Sequence, residues 1–180
     1  MTSESESTTA EAKILDQKED ENKDVRVIFR MRVPEEDTEI AGLFVWHKFL
    51  DEHVATSLTG YVSGLNNWGP ISDQPGSRRV IHYGYVYDYR RMARPAKTIE
   101  MPERLAGPAR FVASTLLGES KMFDQLIINE YLPGQGISAH VDNIHQFGNV
   151  VFCVCLGSGA EVVFTHPDSR IVNRWLPIGS

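Results

Sequence analysis

Two amphipathic stretches at helical spacing come early in the chain, and only short strands punctuated by Gly and Pro turns follow. That order predicts an α+β fold with N-terminal helices packed on the outside of a β-sandwich. A third observation agrees: turn chemistry at Pro133-Gly134-Gln135-Gly136, at Gly157 and Gly159, and near Pro167 divides the C-terminal half into successive hairpins.

Residues 1–24 hold eight acids (Glu4, Glu6, Glu11, Asp16, Glu19, Asp20, Glu21 and Asp24) against three lysines and almost no large apolar residues. Such a stretch cannot bury enough surface to offset its ordering entropy, so it is expected to be a solvated, disordered tail. It carries most of the net charge of −6, and residues 25–180, expected to form one domain, are close to neutral. Val25–Val33 alternates like a strand or ordered arm until Pro34 breaks it, and Leu43–Phe49 reads as another strand. Asp51 is a candidate N-cap for a helix whose Val54, Leu58, Tyr61, Val62 and Leu65 recur at helical spacing. Asn66, Asn67, Gly69 and Pro70 end it, a loop runs to Ser77, and Trp68 at the junction reads as a packing anchor. A second helix is expected to begin near Pro108, with Phe111, Val112, Thr115 and Leu116 on one face and Gly118 at its end.

With 180 residues and 42% hydrophobic content the chain suits a single core of ordinary size. No apolar run is long enough for a membrane span, and the acidic start lacks the features of a secretory signal. The expected location is intracellular, cytoplasm or nucleus; oligomeric state is not legible. Cys153 and Cys155, the only cysteines, share a face of Val150–Leu156 and read as buried thiols in a strand, since they are too close in sequence to pair easily.

The chemistry concentrates around His140-Val141-Asp142. In an extended segment residues i and i+2 point to one side, so an imidazole and a carboxylate can grip one ion together. With a second imidazole from elsewhere they would complete the two-histidine-one-carboxylate arrangement that suits non-haem Fe(II). Phe123–Tyr131 reads as a strand with Ile127, Asn129 and Tyr131 on one face. The Pro-Gly-Gln-Gly turn is expected to close a hairpin that brings Asn129 and Tyr131 beside the strand bearing His140 and Asp142. His145 reads as a loop or supporting residue, and His166 as a surface-turn residue.

The run Asn-Glu-Tyr-Leu-Pro-Gly-Gln-Gly-Ile-Ser-Ala-His-Val-Asp, residues 129–142, resembles the AlkB family of Fe(II)/2-oxoglutarate dioxygenases. The likeness extends into Val150–Gly157, Ile40–Phe44 and Arg79–Tyr85, and its Gly-Gln-Gly-Ile version is similar to the branch containing tRNA wobble-uridine hydroxylases. The resemblance implies a double-stranded β-helix, a jelly-roll variant. It implies iron ligation at His140 and Asp142 and binding of the cosubstrate 2-oxoglutarate at Asn129 and Tyr131. It also implies a distal histidine and carboxylate-clamping arginines on later strands, so the domain is expected to be incomplete at its C-terminus. The implied reaction is hydroxylation or dealkylation of a modified nucleobase in RNA, of tRNA type, or DNA. The alternative is a catalytically inactive AlkB-like module that binds nucleic acid or protein.

Arg78–Arg91 places Tyr83, Tyr85, Tyr87 and Tyr89 at period two with arginines at both ends. On one strand the four would share a face. Aromatic faces stack on extruded bases and arginines neutralise phosphates, so Tyr83, Tyr85 and Arg79 are the candidate substrate residues, with Arg90, Arg91, Arg94, Lys97, Arg104 and Arg110 extending the basic character. Alternating tyrosines also occur in ordinary amphipathic strands. No polybasic run is present, which argues against duplex DNA held through phosphates alone.

Overall fold

The computed structural model describes residues 9–13, 26–30, 34–72, 74–89, 96–97, 99–118, 123–143 and 145–180. Most of the acidic segment, the ends of the Val25–Val33 stretch, and Arg90, Arg91 and Arg94 of the expected basic flank lie outside the described residues. The order is β1 (Thr9–Lys13), β2 (Arg26–Arg30), β3 (Glu35–Glu36), β4 (Phe44–Val45), α1 (Glu52–Ser63), β5 (Gly69–Pro70), β6 (Arg79–Tyr83), β7 (Tyr85–Val86), β8 (Ala96–Lys97), α2 (Glu103–Val112) with a π-helical turn over Ala113–Leu117, β9 (Leu126–Glu130), β10 (Ala160–Thr165) and β11 (Ile171–Leu176). Every described pairing is antiparallel: β1 with β2, β3 with β4, β7 with β8, β10 with β11, and a three-stranded sheet in the order β5-β6-β9. The α+β expectation is met as helices with small antiparallel sheets.

The chain divides into two compact units, Met1–Ser63 with Cys153–Ser180, and Gly64–Phe152. In the first, Asp51 caps α1 as its sequence predicts, accepting the Val54 N–H at 2.8 Å. Ala55 and Leu58 are buried, as are Trp46, Phe49 and Leu50 of the preceding turn. The Thr59 hydroxyl donates to the Ala55 carbonyl and accepts the Gly157 N–H, which ties α1 to the later segment of the same unit. Gly179 and Ser180 are buried too, exchanging backbone bonds with Cys155 while the Gly179 carbonyl takes the Leu50 N–H. Arg174 on β11 binds both Asp37 and Glu39, and its guanidinium holds the Asp37 carboxyl far below the usual carboxylate range.

Several expectations change. Thr9–Lys13 is a strand paired with β2, inside the segment whose composition pointed to a solvated tail; ladder bonds use backbone groups, which polar side chains do not remove. The strand expected over Leu43–Phe49 shrinks to β4, because a tight turn with Lys48 at φ 57° closes between Trp46 and Phe49. The second helix starts five residues before Pro108. Pro102 and Glu103 supply a start, and Pro108 is accommodated inside the helix, where it removes one N–H donor. Phe111, Val112 and Ala113 are buried, Thr115 and Leu116 face outward, and Gly118 at φ 88° follows the π turn. Val150–Leu156 forms no strand, so Cys153 is exposed and Cys155 half-buried rather than both being core thiols.

In the second unit β6 is the central strand, with Val80, Ile81 and Tyr83 buried. Its register against β9 sets Arg79 opposite Glu130, Val80 opposite Asn129, Ile81 opposite Ile128, His82 opposite Ile127 and Tyr83 opposite Leu126. The strand stops at Gly84, whose φ of 77° lies in the left-handed region and whose N–H bonds the Ile99 carbonyl. A Cβ there would sit 1.9 Å from the Asp124 carbonyl oxygen. The Gly84→Ala protein is therefore expected to be destabilised by more than the ~1–2 kcal/mol of the backbone conformation alone. In a chain of 180 residues that lowers the melting temperature by at least about 4 °C, and an unchanged calorimetric melt would remove the argument.

Candidate metal and ligand site

Antiparallel pairing places directly opposed residues on one face of a sheet, and the face alternates along each strand. Asn129 opposes Val80, so the face that carries Asn129 also carries Ile127 and His82, and at the end of the ladder Arg78 and Tyr131. The contacts agree. Arg78 Nε donates to Asn129 Oδ1 at 3.0 Å, and its guanidinium carbon lies 5.7 Å from the centre of the Tyr131 ring. The shared face for Ile127, Asn129 and Tyr131 is as the alternation predicts. Arg79 and Tyr83 belong to the other face. Arg79 grips Glu130 through two bonds, one of them 2.7 Å, and stacks 4.7 Å over the Trp68 ring, while Tyr83 is only 3% exposed.

The four tyrosines do not share a strand face, because the turn at Gly84 separates β6 from β7 and breaks the period of two. Tyr85 is half-buried on β7. Tyr87 and Tyr89 beyond it curl back: Tyr89 lies 5.9 Å from the His82 ring and 5.0 Å from Tyr87, and Tyr87 packs 4.9 Å from Phe147. Burial pushes the Tyr89 phenol above its usual pKa, while Arg78 beside it pulls the other way. Phe147 belongs to a tight turn in which the Asn143 carbonyl accepts the Gln146 and Phe147 N–H groups. That turn follows Asp142 directly. An unbroken series of contacts thus runs from Arg78, Asn129 and Tyr131 through Tyr89, Tyr87 and Phe147 to the segment bearing His140 and Asp142.

The hairpin expected after β9 does not form. Gly134 at φ 83° makes the turn, and Gln135 then fastens it: its side-chain oxygen accepts the Leu132 N–H at 2.8 Å and its amide donates to the Gly76 carbonyl at 2.7 Å. Residues 135–143 continue without strand pairing, and β9 finds its partner in β6 instead.

His140 and Asp142 nevertheless point to one side, with His140 Nε2 at 3.5 Å from Asp142 Oδ1. His140 Nδ1 is 2.8 Å from the Ser138 carbonyl oxygen. A carbonyl can only accept, so Nδ1 carries a proton, and in the neutral imidazole the lone pair is then on Nε2, on the side of Asp142. This is the way a ligating histidine is oriented by its outer partner. Two ligand atoms, each about 2.0–2.2 Å from one ion at ordinary coordination angles, lie about 3.0–3.5 Å apart. The observed separation therefore fits a shared divalent cation. Both side chains are half exposed, and among the described residues no third histidine, cysteine or carboxylate joins them. His145 sits in the exposed turn with its N–H on Asn143 Oδ1. His166 lies in the β10–β11 turn, 2.8 Å from Asp168.

Sequence reasoning passed over Arg78, His82 and Phe147. Arg78 is the neighbour of Arg79, and only the register decides which of the two joins Asn129. His82 is half-buried with Nδ1 lacking a partner among the described residues, and burial holds its pKa below the usual histidine value. The neutral form is favoured in the folded state, so below about pH 6.5 the unfolded chain binds the extra proton and stability falls as the pH drops. Proton NMR is expected to find one imidazole titrating below the ordinary range, and that resonance is absent in His82→Gln. A His82 midpoint at or above the free-histidine value would contradict the burial argument.

No family model matches the chain, and no solved structure matches it. Among curated proteins it is 34% identical over 145 residues to the mouse "tRNA (carboxymethyluridine(34)-5-O)-methyltransferase ALKBH8", covering 76% of this chain and 21% of that protein. It is 32% identical over 107 residues to the protein of the same name from Macaca fascicularis, covering 56% of this chain and 15% of that one. It is 27% identical over 136 residues to the "Alkylated DNA repair protein ALKBH8 homolog" of Arabidopsis thaliana, covering 69% and 36%. The chain spans between about a seventh and a third of the length of these relatives.

Proposed function

Because this chain is AlkB-like, we propose that it forms the core of an Fe(II)- and 2-oxoglutarate-dependent dioxygenase. It acts on a modified nucleobase, in RNA of tRNA type or in DNA, and has the double-stranded β-helix of that family as its architecture. The observation that carries the reading is the pair His140 and Asp142, 3.5 Å apart, with the imidazole turned by the Ser138 carbonyl so that Nε2 is free to ligate. Iron bound there would supply the oxygen chemistry that no side chain can perform. The chain's own residues do the rest. Asn129 and Tyr131 hold the cosubstrate from the β6–β9 face, and the aromatic series of exposed Tyr89 and half-buried Tyr87 and Phe147 offers ring faces on which an unstacked base can rest. Tyr85 follows on β7, while Arg79 lies on the opposite face of the β6–β9 pair, held by Glu130. Arg79 meets phosphate only as far as Glu130 releases it. The names of the mouse and Arabidopsis relatives, one a tRNA-uridine methyltransferase and the other an alkylated-DNA repair protein homolog, support a nucleic-acid substrate. The methyl transfer in the first name belongs to a protein nearly four times as long as this chain.

A second reading, a binding module without turnover, draws support from the pair's half exposure and from the lack of a third ligand among the described residues. One experiment separates the two. With Fe(II), 2-oxoglutarate and a modified-uridine oligonucleotide, the dioxygenase reading expects succinate to form in step with product and to fall at least a hundredfold in His140→Ala. Succinate no higher than in that variant, with metal affinity unmoved by 2-oxoglutarate, would establish the binding module. No helix among the described residues is long and apolar enough to cross a membrane.

A further inference from the structure

Arg78 is half-buried and makes no ion pair with a carboxylate among the described residues, although six other arginine or histidine side chains do. A guanidinium has five N–H donors and no acceptor. Its Nε–H is spent on Asn129 Oδ1, and that single bond has a consequence for Asn129. Because Arg78 can only donate, the atom of the amide that faces it must be the oxygen. The Asn129 NH₂ group is then turned the other way, and both of its hydrogens point off the bond. A further Arg78 N–H is used on the Tyr89 phenol oxygen, and the paired side chains then present donors alone: the remaining Nη hydrogens of Arg78 and the Nδ2 group of Asn129. The guanidinium is fixed besides, lying above the Tyr131 ring with Tyr89 alongside.

A donor-only cluster with a fixed positive charge is complementary to an oxyanion, and a planar fork to a carboxylate in particular. We propose that Arg78 and Asn129 form one carboxylate-binding subsite, in which Arg78 both contributes charge and sets the Asn129 amide with its NH₂ toward the ligand. The subsite rests on the reading that Asn129 and Tyr131 hold 2-oxoglutarate, and adds to it the residue that imposes the orientation.

The test is calorimetric titration of the metal-free chain with 2-oxoglutarate, its dimethyl ester and inorganic phosphate, so that no iron chemistry enters the readout. Wild type is expected to bind 2-oxoglutarate and not the diester. Arg78→Gln is expected to lose at least tenfold in affinity. Asn129→Asp is the sharper variant. It keeps and strengthens the bond to Arg78, so the fold is retained, but it replaces the outward donor with a carboxylate oxygen that repels the ligand. Affinity is expected to fall at least tenfold with a melting temperature equal to or above wild type. Wild-type affinity for 2-oxoglutarate in Asn129→Asp, or in a folded Arg78→Gln, overturns the proposal while leaving the dioxygenase reading intact. Arg78-dependent binding of phosphate with none of 2-oxoglutarate upholds an oxyanion subsite and overturns the cosubstrate reading instead. A wild-type chain that binds neither anion overturns the subsite outright.

Discussion

The register between Arg79–Tyr83 and Leu126–Glu130 is the constraint on which the site depends. Side chains alternate across a sheet with a period of two, so sliding one strand by a single residue would send its whole set to the other face. In the observed register the ion pair between Arg79 and Glu130 and the burial of Ile81 and Tyr83 lock one face. The opposite face carries Arg78, His82, Asn129 and Tyr131 around the apolar pair Val80 and Ile127. No part of the ligand chemistry specifies this arrangement. Apolar burial and one salt bridge on the far side fix it, and the candidate ligand face follows. An exposed pair of that kind contributes little stability by itself, but it opposes the one slip that would exchange the faces.

Two devices then set the chain after β9 on a course other than a fourth strand of that sheet. Gly134 turns the backbone, and Gln135 secures the turn to Leu132 and Gly76 with both ends of its amide. The following residues are free of ladder bonds and can present their own groups. Ser138 uses its carbonyl to set the His140 tautomer rather than to pair with a strand. The segment meets the rest of the site through aromatic contact, Phe147 against Tyr87, and not through a backbone ladder. Rings tolerate small displacements that a ladder does not, which suits a surface that must admit a planar ligand between its parts.

What was legible in the sequence was what depends on spacing within a few residues. Asp51 caps α1 because a carboxylate three residues ahead of a free N–H needs no tertiary help. Asn129 and Tyr131 share a face because alternation is local. His140 and Asp142 come together because any extended backbone puts i and i+2 on one side, whether or not it belongs to a sheet. Long-range partners were not legible. Nothing in the sequence says that β9 would pair with β6, and without that pairing Arg78 cannot be told from Arg79. The tyrosine alternation misled for a related reason: Gly84 lies within it, and a positive φ ends a strand as firmly as a proline does. The cysteine segment misled because an apolar run fixes neither strand pairing nor burial.

Arg78 and His140 solve the same physical problem in two ways. In the proposed reading each presents a defined set of hydrogens or lone pairs to a ligand, and each belongs to a group that could turn. The imidazole can carry its proton on either nitrogen, and the Asn129 amide can point either end outward. In both cases a neighbour that can perform only one role removes the choice: a carbonyl that only accepts fixes the histidine, and a guanidinium that only donates fixes the asparagine. The result is lone pairs on the segment of His140 and Asp142, suited to a cation, and hydrogens on the β6–β9 face, suited to an anion. A ligand that chelates a metal through one end and ends in a carboxylate at the other would satisfy both at once. That complementarity of sign is what the proposed dioxygenase reading asks of the two sets of residues.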